Sequence, residues 1–117
     1  MNIKEFEKVV LETIESIPEK FQKKLKNISV VIEETDGESF FEKEHGSTLL
    51  GLYQGLPLTM RAGKRNLIPD KITIYKGHLE KISINDTELK KNIRRVVLHE
   101  IGHFFGLDED KLKDLGY

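Results

Sequence analysis

Cysteine is absent from the 117 residues. Without a thiol, disulfide stapling and thiolate metal sites are excluded, and any transition metal must be held by imidazole and carboxylate. Long hydrophobic runs are missing too, and none approaches the roughly 20 residues that a membrane-spanning helix needs. Charge of one sign is also lacking. Lys and Arg number 19 against 20 Asp and Glu, a net charge of -1, so no net field recruits nucleic acid or an anionic bilayer. The basic clusters Lys23-Lys24-Leu25-Lys26 and Lys90-Lys91-Asn92-Ile93-Arg94-Arg95 therefore read as solvated helix faces. The first residues alternate charged and apolar side chains where an export signal carries a continuous apolar core. These features predict a cytoplasmic protein with neither nucleic-acid nor membrane partners.

What is present is a soluble globular balance, 38% hydrophobic against 33% charged, over a length that predicts one domain spanning residues 1–117. Ile3, Phe6, Val10, Ile14 and Ile17 recur at helical spacing and predict a first amphipathic helix ending near Pro18. Phe21 and Leu25 continue its packing on a short second helical turn. Ile28–Glu33 is β-branched enough to predict a buried strand, followed by a turn at Asp36-Gly37. Glu38–Gly46 reads as a polar loop around Phe40-Phe41. Leu49–Gly55 predicts a second strand, whose glycines allow a bulge or a close backbone approach, and Pro57 closes it. Ala62–Asn66 reads as a loop. Lys71-Ile72-Thr73-Ile74-Tyr75 alternates as a half-exposed strand does, and predicts a sheet edge to which another strand could add.

The last long element begins at Asn85-Asp86-Thr87-Glu88, a capping-box pattern, and stops at Gly106, a residue that takes the left-handed conformation cheaply. Leu89, Ile93, Val97, Ile101 and Phe104 form its apolar stripe. Within it runs His99-Glu100-Ile101-Gly102-His103, the H-E-x-x-H pattern. At about 100° per residue the two histidines stand roughly 40° and about 6 Å apart, so both imidazoles can meet one ion at the border of the buried face. Glu100 projects between the histidines and the stripe, where a carboxylate can act as general base toward a metal-activated water. Imidazole binds metal only when neutral, so zinc binding is expected to weaken in acid. A catalytic zinc usually keeps three protein ligands. In the extended pattern the third falls ten residues after the first His, and that place is Glu109, flanked by Asp108 and Asp110. Asp108 would instead cap a short C-terminal helix through Lys111 and Leu112.

The run from His99 to Glu109 resembles the short zincins with an acidic third ligand. The likeness extends to Leu49–Leu58 and Ile68–Tyr75, and the chain as a whole resembles the minimal, matrix-metalloprotease-like zinc peptidases of bacteria. The resemblance implies a stripped-down zincin, an α+β fold in which a small mixed sheet packs against the N-terminal helix and the central metal helix. It implies a peptide cleft between metal helix and sheet edge, Zn2+ held by His99, His103 and Glu109, catalysis by Glu100, and a peptide or protein substrate. The chain departs from the metzincins in that eight residues follow Glu109 and none is Met, so the primed side of the cleft is expected to have little wall. The alternative is a non-catalytic, zinc-stabilised binding module that retains the same site. His45 and His78 are expected to be solvated loop side chains. Tyr53, Arg61 and Tyr75 are expected to pack or lie at the surface rather than face an oxyanion, and Gly102 to admit a close neighbour.

Overall fold

A computed structural model describes residues 1–34, 49–61 and 69–117. The expected turn at Asp36-Gly37, the loop around Phe40-Phe41, His45 and the Ala62–Asn66 loop lie outside them. Helix α1 (Ile3–Glu15) starts where the Asn2 side chain accepts the Glu5 amide at 2.8 Å, satisfying one of the free amides of the first turn. Its buried face is Phe6, Val9, Val10 and Thr13, with Ile14 and Ile17 partly covered. Thr13 is tolerated there because its hydroxyl donates back to the Val9 carbonyl at 2.7 Å. After Pro18 comes the single turn α2 (Glu19–Gln22), continued by a 3₁₀ turn at Lys23–Leu25.

Among the described residues three strands follow: β1 (Ile28–Glu33), β2 (Gly51–Gln54) and β3 (Asp70–Tyr75). Their spatial order is β1-β3-β2, a mixed sheet. β1 runs parallel to β3 with Ile28 opposite Asp70, and β2 runs antiparallel with Gly51 opposite Ile74. Two expectations are corrected here. β3 is the central strand, paired on both edges, so no strand can add to Lys71–Tyr75. Thr73 is flanked by its register partners Val31 and Leu52 and is buried. β1, expected to be buried, is an edge strand among the described residues, with Val30 and Val31 exposed.

Directly after β3 the chain enters α3 (Lys76–Ile82), a helix where the sequence predicts a loop around His78. His78 is consequently not a solvated loop residue. It is buried, its Nδ1 lies 2.7 Å from the Leu49 carbonyl oxygen, and its ring stacks on Tyr75 at 5.5 Å. A Gly-His pair after a strand has no helical signature, but Lys76 and Glu80 do sit at i,i+4 spacing and pair at 2.6 Å.

Helix α4 (Asp86–Phe104) begins as expected, with the Asn85 side chain accepting the Glu88 amide at 2.8 Å. Leu89, Ile93, Val97, Ile101 and Phe104 are all buried. They share the core with Phe6, Val9 and Val10 of α1 and with Ile72 and Ile74 of β3. The architecture is α+β. A final short helix, α5 (Glu109–Asp114), docks through Leu112 onto Gly102 of α4, where any β-carbon would collide with the leucine. Among the described residues no helix is long and apolar enough to cross a membrane.

Candidate metal centre

The site is assembled by two helix ends. α4 stops in a turn where the Gly106 amide bonds the His103 carbonyl and the Leu107 amide the Gly102 carbonyl, both at 3.0 Å. These are the paired bonds of a Schellman motif, and they require a left-handed residue at Gly106, whose φ is +95°. The reversal brings Asp108 to cap α5, its side chain accepting the Lys111 amide at 2.8 Å, and places Glu109 back over the last turns of α4.

His99, His103 and Glu109 are thereby brought together, with one ligand atom from each within 4.8 Å of the others. His99 Nε2 and His103 Nε2 are 3.2 Å apart, and Glu109 Oε1 lies 2.8 Å from His103 Nε2 and 3.3 Å from His99 Nε2. The far side of each ring decides what these atoms carry. His99 Nδ1 faces the main-chain oxygen of Tyr117 and His103 Nδ1 the Leu107 carbonyl oxygen, both at 3.0 Å. Main-chain oxygens only accept, so each neutral ring places its proton on Nδ1 and leaves Nε2 as a bare lone pair. Two imidazole lone pairs and a carboxylate then converge with no donor between them, an arrangement that fits a divalent cation with nitrogen and oxygen ligands.

Glu100 is buried next to this cluster although its side chain is ionisable. Burial pushes its carboxyl above the usual carboxylate range. The His99 and His103 rings and a hydrogen bond from the Tyr53 backbone amide act the other way, and the Glu109 charge adds to the rise. For Glu109 burial also acts upward, but hydrogen bonds and charge from His99 and His103 outweigh it and hold the carboxyl below its usual range. A cleft of about 740 Å³ runs between α4 and β2, lined by Leu50, Gly51, Tyr53, His99, Glu100 and Glu109 among others.

Among the described residues β2 is an edge strand, and it borders this cleft. The Tyr75 amide bonds the Leu50 carbonyl at 3.0 Å, so Leu50, Leu52 and Gln54 take the ladder positions against β3. By antiparallel alternation, Gly51 and Tyr53 turn their amides and carbonyls outward. The Tyr53 ring contacts Phe104 edge-on, and its hydroxyl donates to Asp70 Oδ1 at 2.7 Å. Asp70 is buried and also receives Arg61 Nη2 at 2.6 Å, while Arg61 Nε bonds the Leu56 carbonyl at 2.8 Å. Burial, then the Asp70 bond and charge, push the Tyr53 hydroxyl well above its ordinary value, with Arg61 opposing.

The sequence profile of the family described as Zincin-like metallopeptidase matches residues 25–117. The chain belongs to the zincin-like metallopeptidase family. No curated protein matches it. Of the residues the sequence singled out in this zincin-like chain, His99, Glu100, His103 and Glu109 line one cleft. Tyr53 and Arg61 are tied to Asp70, and Tyr75 is buried against His78, so all three have packing roles. Sequence reasoning missed the Tyr53 amide and the main-chain oxygens of Leu107 and Tyr117, because backbone groups leave no residue-type signal. The zincin-like chain did advertise their geometry through Gly106 and Gly116, the residues that permit the two turns.

Proposed function

We propose that the chain is a zinc-dependent peptidase in which His99, His103 and Glu109 hold the ion and Glu100 is the general base. One observation carries the reading: a buried carboxylate, held by a strand amide, borders the same cleft as three converging acceptor atoms. Zinc, when bound, supplies a Lewis acid that polarises a carbonyl and makes water acidic near neutral pH. The chain's own groups account for the remaining steps. Three protein ligands are the number that keeps a fourth position available to the reaction. Glu100 takes a proton from the attacking water onto its carboxylate and delivers it to the leaving amine, so the peptide bond breaks with its proton balance closed. The Tyr53 amide fixes the carboxylate for both transfers.

The substrate is an extended peptide that adds to the outer edge of β2. The Gly51 amide and carbonyl and the Tyr53 carbonyl are the backbone groups turned that way, and main-chain pairing aligns a peptide with little demand on its sequence. Leu50, Pro57 and Met60 give the cleft an apolar wall that favours hydrophobic side chains.

The test is metal analysis of the purified chain and of Glu100→Gln, each assayed on a broad peptide library. The expected result is one zinc per chain in both proteins. Cleavage is expected to fall roughly a hundred- to ten-thousand-fold in the variant, the usual worth of a general base. Zinc in both proteins with cleavage by neither favours a binding module without turnover, and a parent chain that takes up no zinc overturns the metal reading.

A further inference from the structure

The last three residues repeat, around His99, the device that α4 builds around His103. α5 ends where the Gly116 amide bonds the Lys113 carbonyl at 3.0 Å and the Tyr117 amide bonds the Leu112 carbonyl at 2.8 Å. This is again the Schellman pair, and it again requires a left-handed glycine, with Gly116 at φ +89°. In each turn the residue after the glycine offers its main-chain oxygen to a ring: Leu107 to His103 Nδ1 and Tyr117 to His99 Nδ1, both at 3.0 Å. Both turns are referenced to Gly102. Its carbonyl accepts the Leu107 amide, and the space left by its missing side chain seats Leu112, from which the Tyr117 turn is hung.

We propose that the Leu115-Gly116-Tyr117 turn is a positioning element of the metal centre, with Gly116 aiming the main-chain oxygen of Tyr117 at His99 Nδ1 and so setting the tautomer and aim of that ligand. An imidazole ligand whose second nitrogen donates to a fixed carbonyl presents one defined lone pair. A ring without that partner divides between tautomers and rotates about χ2. Gly116 acts through conformation alone, because a β-carbon at that position would meet no atom within 4 Å. Its substitution therefore changes the path of the backbone without crowding the core. The proposal rests on the reading of His99 as a metal ligand, and its test separates the two.

Four variants are compared with the parent chain: Gly116→Val, Gly116→Asn, Tyr117→Ala and His99→Ala. Zinc affinity is measured by chelator competition, and the His99 tautomer by imidazole 15N shifts in the metal-free protein at a pH where the ring is neutral. Val, being β-branched, resists positive φ, whereas Asn adopts it. Gly116→Val is expected to weaken zinc binding about 10- to 100-fold and to erase the Nδ1–H preference of His99, with the metal-free melting temperature close to the parent's. Gly116→Asn is expected to restore both readouts. Tyr117→Ala, which removes the ring and keeps the main-chain oxygen, is expected to leave them unchanged. Parent-like affinity and tautomer in Gly116→Val, together with zinc lost in His99→Ala, overturn the positioning role and leave the metal site standing. Zinc retained in His99→Ala overturns the metal reading itself.

Discussion

Gly51 and Glu100 touch across the strand–helix boundary: a side-chain carbon at Gly51 would lie 3.1 Å from Glu100 Cγ, 3.4 Å from Oε2 and 2.6 Å from Val96 Cγ1. The strand can pass this close to the carboxylate only because position 51 has no side chain. Replacing a strand glycine by alanine ordinarily stabilises, since the unfolded chain loses freedom. Here the sign reverses. Gly51→Ala is expected to destabilise the fold by about 1–3 kcal/mol, the usual range for overpacking, in a denaturant titration. It should also lower peptidase activity at saturating zinc, because relief of the clash moves either β2 or Glu100. A variant at least as stable as the parent would show that the contact is not tight.

Arg61 and Tyr53 converge on the buried Asp70, and removing either leaves a different residue of charge. Arg61→Ala strands a carboxylate that is 7% exposed, and breaking a buried pair this way typically costs about 3–5 kcal/mol. Tyr53→Phe deletes one hydroxyl donor and is expected to cost less, about 1.5–3 kcal/mol, as for a hydrogen bond to a charged group. Equilibrium unfolding of the two variants checks the ranking, and equal losses would contradict it.

The same tyrosine gives a pH signature. Burial and Asp70 raise its hydroxyl above the ordinary value near 10, so the unfolded chain releases this proton first as the solution turns alkaline. The contribution of the neutral hydroxyl is therefore complete below about pH 10 and is lost progressively above it. The difference in unfolding free energy between the parent and Tyr53→Phe is expected to be flat at neutral pH and to shrink on the alkaline side. A difference that stays constant through pH 11 would argue against a proton held at Tyr53.

How much of this was legible in the residues follows from the kind of signal each feature leaves. α4 could be read with its cap and stop, because Asn85, the stripe from Leu89 to Phe104 and Gly106 are all written in residue types. The convergence of His99, His103 and Glu109 was legible for the same reason, since an i,i+4 histidine pair and a turn at fixed offset determine where Glu109 falls. Strand order was not. Lys71–Tyr75 alternates whether it sits at an edge or in the middle, and only the partners Val31 and Leu52, distant in sequence, decide that β3 is central. α3 escaped because its seven residues are too few to display a helical period, so its position is set by tertiary packing of Leu79 and His78 rather than by local preference.

The three consecutive acids at the start of α5 have distinct roles, and metal affinity can tell them apart. Asp108 caps the helix, its side chain receiving the Lys111 amide at 2.8 Å. Glu109 reaches both ring nitrogens, with an oxygen 3.1 Å from His99 Nε2 and another 2.8 Å from His103 Nε2. Asp110 is exposed and borders a hollow lined by Arg95, Lys113, His99 and Glu109, and no side-chain oxygen of Asp110 is among the converging ligand atoms. Loss of a cap costs about 0.5–2 kcal/mol of stability, whereas loss of a ligand removes a bond to the ion. Asp108→Ala is therefore expected to lower the melting temperature of the metal-free chain and weaken zinc binding only slightly, through fraying of the turn that carries Glu109. Glu109→Ala should leave the metal-free melting temperature near the parent's and abolish most zinc binding, and with it the rise in melting temperature that zinc produces by binding only the folded state. Asp110→Ala should change neither. Zinc affinity by chelator competition and melting curves with and without zinc, at a pH where both imidazoles are neutral, give three readouts for each variant. If Asp108→Ala or Asp110→Ala loses the ion while Glu109→Ala keeps it, the third ligand is misassigned and the loop after Gly106 must deliver a different carboxylate to the histidine pair.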